Sequence, residues 1–497
     1  MLERGHSKAC ASRLQAEDEQ ERLADGAQLG CVKPSLVIDR EVGGHEHGAP
    51  ADDLVAIAHV RDSGPPMRTT GLPVMMLLAV LLAVAACVRP GAVHASAGVR
   101  YGIQDDAWLE FGPGTLDQRL ATFKRLGVPL VRFTLRWNEV APRRPANPTS
   151  PRDRAYDWRR PDRILRGLRR YGLTPVLTVV GTPAWANGGR TPNFAPPRPR
   201  DFRHFATAAA RHYPWVRYWL IWNEPNKRLW LRPTRAAIYV QHLLNPGYEA
   251  IQAALPSARV GGGVTGPRGG LGGVSPVAWI RGMARAHAKL DAYAHHPYPS
   301  TPAETPSSGG CRNCPSITMA TIRKLLILVR HYFGPKPIWL TEYGYQTRPP
   351  DGFLGVPLRK QATLLNLAAL RAWRLPRVTM LIQYLYRDEV ELSRFQSGLV
   401  FADNRPKPSF VGFRLPFAEM SRHGFQTVVW GQVRGGRPGR KPYRLEVLER
   451  NAWKPVGHVR LTNDSGIFVR SIRLKRGALL RIWSPRQHRF SLQLRVR

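Results

Sequence analysis

The chain has 497 residues, 43% hydrophobic and 9% aromatic, enough for one large domain or two unequal ones with full cores. Its formal net charge is +39 and its pI near 11.2. The basic residues nevertheless stand singly along predicted helices and strands, without the clustered tracts of a nucleic-acid-binding arm. Nucleic acid is therefore disfavoured; a general compositional bias is the plainer account, and an anionic wall or polysaccharide is the alternative partner.

In chain order, residues 1–66 are polar, rich in Gly and Asp, and without sustained periodicity. Residues 67–97 read as a signal peptide. Met67-Arg68 is a short basic start, residues 72–88 are an almost unbroken apolar run, and Ala95-Ser96-Ala97 is a small-x-small cleavage site before Gly98. At about 17 residues the run is short for a membrane span. Within it, Val84-Ala85-Ala86-Cys87 resembles the lipobox of bacterial lipoproteins, which would place a lipid on Cys87; a retained anchor is a third option. Because a signal peptide opens a chain, translation is expected to start at Met67, with 1–66 a mis-assigned upstream segment. A disordered cytoplasmic tail is the alternative. The product is then extracellular, or lipid-anchored through Cys87.

Eight apolar runs follow, at 99–103, 130–135, 174–180, 216–222, 259–263, 292–296, 338–342 and 378–386. They alternate with amphipathic stretches at 116–126, 164–171, 201–213, 236–255, 277–290, 317–332 and 358–373; in the first, Leu116, Leu120, Phe123 and Leu126 fall at helical spacing. Strict alternation argues for a parallel sheet, and the count argues for closure into a (β/α)8 TIM barrel over residues 98–421. An open doubly wound sheet is the alternative, but Gly102-Ile103-Gln104-Asp105 is not the Gly-rich turn such a sheet carries after its first strand.

Beyond 422 the pattern changes to short alternating runs at 427–433, 443–448, 458–461, 467–472, 478–482 and 490–496, parted by turns such as Asn463-Asp464-Ser465-Gly466. They predict a small antiparallel β-sandwich over 422–497. Arg and Lys far outnumber Glu446, Glu449 and Asp464 there, so an accessory module with affinity for an anionic cell-wall polymer is one reading. Of the five cysteines, Cys311 and Cys314 share a Ser-, Gly- and Pro-rich loop. With no further Cys or His pair nearby, zinc is poorly supported, and a local disulfide suits an exported protein.

Two of the apolar runs end on acids. Residues 216–226 read Val-Arg-Tyr-Trp-Leu-Ile-Trp-Asn-Glu-Pro-Asn, and residues 337–345 read Pro-Ile-Trp-Leu-Thr-Glu-Tyr-Gly-Tyr. In a closed barrel both Glu224 and Glu342, on the fourth and seventh strands, project from the carboxyl rim, where function sits. For one such Glu a salt bridge at a strand end would be account enough. Two on one rim are the minimum equipment for cleaving a glycosidic bond, with retention if the groups stand about 5–5.5 Å apart. The acid of the pair should have a raised pKa, from apolar walls to which Trp222, Trp230 and Trp339 are near in sequence, and from the second carboxylate.

Trp222-Asn223-Glu224-Pro225-Asn226 and Thr341-Glu342-Tyr343-Gly344 resemble the fourth- and seventh-strand signatures of clan A glycoside hydrolases, most closely families 5 and 39, which include cellulases, mannanases and β-xylosidases. The resemblance spans the barrel and implies a retaining hydrolase without metal or cofactor. It makes Glu224 the general acid/base, Asn223 a hydrogen-bond partner of the sugar 2-hydroxyl, and Glu342 the nucleophile. It assigns Arg132 to orient the nucleophile, and His296 and Tyr298, in His295-His296-Pro297-Tyr298, to the site, with the tyrosine touching the nucleophile. A plain salt-bridge role for Arg132 stays open, as does His295 in place of His296, since neighbours on a strand face opposite sides. Where the clan usually has an aromatic platform, often Trp, after the eighth strand, this chain offers Tyr384 and Tyr386. Trp137 and Trp185 are candidate sugar-stacking rings or loop-packing residues. A monomer acting on carbohydrate is expected; a transglycosylase, or a barrel that only binds wall polysaccharide, are the rivals.

Overall fold

The computed structural model describes residues 98–436 and 439–497. Eight parallel strands close on themselves: β1 (Arg100–Gln104), β2 (Leu130–Arg136), β3 (Thr174–Val180), β4 (Tyr218–Ile221), β5 (Arg259–Thr265), β6 (Ala292–His295), β7 (Ile338–Tyr343) and β8 (Val378–Tyr384). Closure is visible in β1, which pairs with β8 through Tyr101 and Leu381 and with β2 through Ile103 and Val131. Helices cover the outside, so both faces of the strands are buried. Hence β3 reads Thr-Pro-Val-Leu-Thr-Val-Val, an apolar run rather than an alternation.

The interior of the barrel is a packed core of its own, formed by Leu130, Val176, Tyr218, Leu220, Ala294, Trp339, Met380 and Ile382 among others. Trp339 fills it so fully that a Cβ on Gly261 would lie 2.8 Å from the indole and 2.7 Å from Leu220. Only glycine is accommodated there. The outer helices follow their sequence signals. Leu116–Leu126 starts on a capping box between Thr115 and Gln118 and ends on left-handed Gly127. It buries Leu120, Phe123 and Leu126 against the sheet.

The predicted helix at 236–255 is interrupted. Pro246 has no amide to return to the carbonyl four residues back, and the turn ahead of it, Val240–Leu244, widens to a π-turn before the helix resumes at Asn245–Ala254.

The C-terminal region forms two antiparallel sheets, a sandwich. One holds Phe417–His423, Gln426–Gln432 and Ile467–Arg473; the other is built on Pro442–Glu449 and Leu479–Ser484 with shorter strands at its edges. Phe417, Val429, Tyr443, Leu445, Phe468, Leu480 and Ile482 make the shared core. Three details differ from the sequence reading. The first strand begins at Phe417, so the expected boundary after 421 falls inside it. Ala452–Pro455 is an unanticipated strand, paired through Glu449 and Ala452 across a two-residue turn of Arg450 and Asn451, both at positive φ. An Arg there carries no turn signal. The run at 490–496 is broken into Arg489–Phe490 and Leu494–Arg495. Buried Arg434 joins the sandwich to the barrel, with its guanidinium 4.0 Å from the Tyr101 ring and donating to the Phe413 carbonyl at 2.8 Å.

Cys311 and Cys314 are bonded to each other, with Cα atoms 5.4 Å apart, and Lys324 Nζ donates to the carbonyls of both. Among the described residues no helix is long and apolar enough to cross a membrane. The signal-peptide, Cys87 and upstream-segment expectations lie outside the described residues.

Candidate active site

β4 ends in a tight turn. Trp222 and Glu224 both take positive φ, 71° and 35°, a conformation that costs a side-chain-bearing residue about 1–3 kcal/mol. Pro225 then occupies the second position of a turn closed by the Lys227 amide on the Glu224 carbonyl at 2.8 Å. Asn226 ties this turn to the loop after β5 by accepting from the Gly266 amide and donating to the carbonyls of Arg268 and Val274. The Glu224 carboxylate is thereby held over the barrel mouth.

Glu342 lies near the end of β7 and faces the same mouth. Arg132 of β2, 1% exposed, pairs with Glu342 Oε1 and donates to Asn223 Oδ1 at 2.7 Å, Gln104 Oε1 at 2.5 Å and Thr178 Oγ1 at 2.9 Å. One guanidinium thus braces β1, β2, β3, β4 and β7 together. The Tyr298 hydroxyl donates to Glu342 Oε2 at 3.1 Å. His296 lies between the acids, with Nδ1 2.9 Å from Glu224 Oε1 and 3.6 Å from Glu342 Oε2; because a carboxylate only accepts, Nδ1 carries the hydrogen. His295 points away. Its Nε2–H donates to the Ile317 carbonyl, its Nδ1 accepts from Thr265, and burial pushes its pKa down to about 4.

Glu224 departs from the expected raised pKa. Burial alone would push its carboxyl up, but the Lys227 ammonium, 3.1 Å from Oε2, and the His296 hydrogen bond outweigh burial and hold it well below the usual carboxylate range. The apolar walls are also thinner than the sequence suggested. Trp339 lies in the barrel interior, and the Trp222 indole is buried with its Nε1 on the Trp230 carbonyl.

The aromatic candidates divide. Tyr384 stands edge-on to Tyr298, ring centroids 6.4 Å apart, and 5.0 Å from Phe395 of the loop after β8. Tyr386 instead packs on Trp108 and Phe123. Trp137 is not a stacking ring: it has no exposed surface, because the short helix Trp137–Val140 turns it onto Phe202 and Phe205. Trp185 is partly buried, with its Nε1 on the Ala141 carbonyl and the Arg144 guanidinium 4.8 Å over its ring.

Lys227, Gln104, Thr178 and Phe395 belong to the site and were not singled out from the sequence. Only Lys227 had a local signal, since the Glu-Pro-Asn-Lys turn brings its first and fourth residues together. Glu224, His296 and Glu342 are, among the described residues, the one group of three or more His, Cys, Asp or Glu side chains placed to hold a metal ion, with ligand atoms within 4.8 Å of one another. Arg132 and Lys227 already supply the positive charge a cation would bring there, and no metal is assigned.

No family model matches the sequence, and no curated protein sequence does. Among solved structures the chain is similar to the GH39 enzyme from Xanthomonas axonopodis pv. citri, at 13% identity and TM-score 0.48 over 78% of this chain and 93% of that one. It is similar also to CelM2, a bifunctional glucanase-xylanase from a metagenome library, at 12% identity and TM-score 0.43 over 78% and 97%. A third likeness is to β-glucuronidase from Bacteroides uniformis, at 13% identity and TM-score 0.42 over 80% of this chain. The chain spans only 46% of that protein's length. At these identities the likeness concerns fold alone, and the closed strand pairing establishes the barrel independently.

Proposed function

We propose that this chain is a retaining glycoside hydrolase of the clan A type, cleaving O-glycosidic bonds of oligo- or polysaccharides by double displacement. The carrying observation is a pair of buried carboxylates on the carboxyl rim whose oxygens come within 4.8 Å. That spacing favours retention, at about 5–5.5 Å between carboxyl groups, over inversion, which needs about 6.5–9.5 Å for a water. The two acids differ in their neighbours. Glu342, fixed by Arg132 and Tyr298, suits the nucleophile; Glu224, joined to His296 and Lys227, suits the acid/base.

In the first step a Glu342 oxygen bonds to the anomeric carbon, the bond from that carbon to the leaving oxygen breaks, and Glu224 delivers its proton to that oxygen. In the second, Glu224 takes a proton from water, the water oxygen bonds to the anomeric carbon, and Glu342 is released as carboxylate. To Asn223, whose Oδ1 accepts from Arg132 at 2.7 Å, we assign the contact with the sugar 2-hydroxyl. Tyr384 and Phe395, which pack by Tyr298 on the Glu342 side, are the rings we assign to contact with the sugar. We assign the chain to an exported monomer, with the basic sandwich as its contact to anionic wall polymer. A barrel that only binds glycan would have no use for two buried acids, one braced by the buried Arg132 and the other by Lys227 at the mouth.

Glu342→Ala and Glu224→Gln should each lower hydrolysis of activated aryl glycosides by orders of magnitude. Azide added to Glu342→Ala should return a glycosyl azide of inverted configuration. Full activity in either variant overturns the assignment.

A further inference from the structure

We propose that Lys227 selects an acidic sugar on the leaving-group side of the scissile bond, so that the natural substrate is a glycan carrying carboxylates, as in uronic acid units. This rests on the glycoside hydrolase reading and adds the substrate class to it.

Position comes first. A general acid must sit within about 2.6–3.2 Å of the oxygen it protonates. Lys227 Nζ is 3.1 Å from Glu224 Oε2, so with Oε2 as the donating oxygen the ammonium lies within about 6 Å of the leaving oxygen, two hydrogen-bond lengths in series. In a 4-linked uronic acid the carboxyl hangs from the carbon next to the one bearing that oxygen, so it falls within Nζ's reach. The Lys227 side chain is 19% exposed, lying at the mouth rather than beneath it. It is held there by close backbone: a Cβ on Gly266 would lie 3.0 Å from both Glu224 Cδ and Lys227 Cε.

The charge of the rim points the same way. Besides Glu224 itself, the loops after β4 and β5, residues 222–235 and 266–275, carry Lys227, Arg228, Arg232, Arg235 and Arg268 and no other Asp or Glu. The loop after β8, residues 385–398, carries Asp388, Glu389 and Glu391 besides Arg387 and Arg394. Of these loops, the ones flanking the acid/base, on whose side the leaving group departs, are thus the more cationic.

A neutral glycan leaves an unresolved opposition at Glu224. The first step needs a proton on this group, while Lys227 and His296 favour its ionised form. An anion brought against Nζ offsets the lysine's charge, and burial of Glu224 then works toward the protonated acid. The contact that recognises the acidic sugar is also the one that arms the acid.

The test uses the full chain on a panel of uronic-acid-containing oligosaccharides, each beside its carboxyl-reduced counterpart, with aryl glycosides as reference. At least one acidic member should be cleaved with a kcat/KM about ten-fold or more above its reduced form, the worth of one charge-assisted hydrogen bond. The ratio should fall as NaCl is raised. Lys227→Gln should bring it close to one, and Lys227→Arg should keep it. Equal cleavage of both forms, cleavage of reduced or neutral glycans alone, or an undiminished ratio in Lys227→Gln would overturn the proposal. If the wild type cleaves no aryl glycoside and no glycan, the hydrolase reading itself has failed; aryl glycosidase activity without a preference for acid sinks this inference alone.

Discussion

Replacing Arg132 by Met removes a guanidinium that reaches Glu342, Asn223, Gln104 and Thr178 at once while keeping most of the apolar stem. Taking one partner from a buried ion pair costs about 3–5 kcal/mol, because the other charge stays buried without it. A folded domain is stable by only about 5–15 kcal/mol, so the barrel should lose a large share of its margin. Urea titration of the full chain, followed by tryptophan fluorescence, should show a lower midpoint at unchanged slope. A double-mutant cycle isolates the cause. In a Glu342→Gln background the carboxylate is already gone, and Arg132→Met should cost about 2 kcal/mol less than in the wild type, within the range for residues in contact. A loss below about 1 kcal/mol in the wild type, or equal losses in both backgrounds, would refute the claim that this pair braces the mouth.

Two further outcomes follow from His295 and Lys227. His295 is buried neutral with its pKa pushed down to about 4, so between that value and about 6.5 the unfolded chain binds a proton that the folded chain does not. Its stability contribution, about 3 kcal/mol, is fully present above about pH 6.5 and is lost as pH falls toward 4. His295→Gln should flatten that part of a Tm-against-pH curve, and an unchanged slope would exclude the residue as its source. Lys227 lowers the pKa of Glu224, and an acid acts only below its pKa, so Lys227→Gln should move the basic limb of kcat/KM to higher pH. A limb that stays in place or moves down would show that the ammonium does not govern this group.

Much of the site could be read locally. Asn223-Glu224-Pro225 and Thr341-Glu342-Tyr343 each follow an apolar run whose length and spacing mark a barrel strand, so the side of the barrel was legible with them. The aromatic residues were not. Trp137 and Trp185 both stand just past strand ends, yet a short helix buries one beneath Phe202 and Phe205 while the other lies under Arg144. His295 and His296 are adjacent and alike in sequence, and their opposite fates depend on Thr265 and Ile317 on one side and the two carboxylates on the other.

The protonation of Glu224 marks the same division. Local sequence determined that eight strands alternate with helices and that two of them end on carboxylates, because strand period, helix period and turn residues act over a few neighbours. The sign of the Glu224 shift was decided only by tertiary structure. Burial and attraction compete there, and which wins depends on distances of about 3 Å to Lys227 and to His296, 72 positions further along the chain. Electrostatic energy varies with separation in space, and only the closed barrel sets that separation.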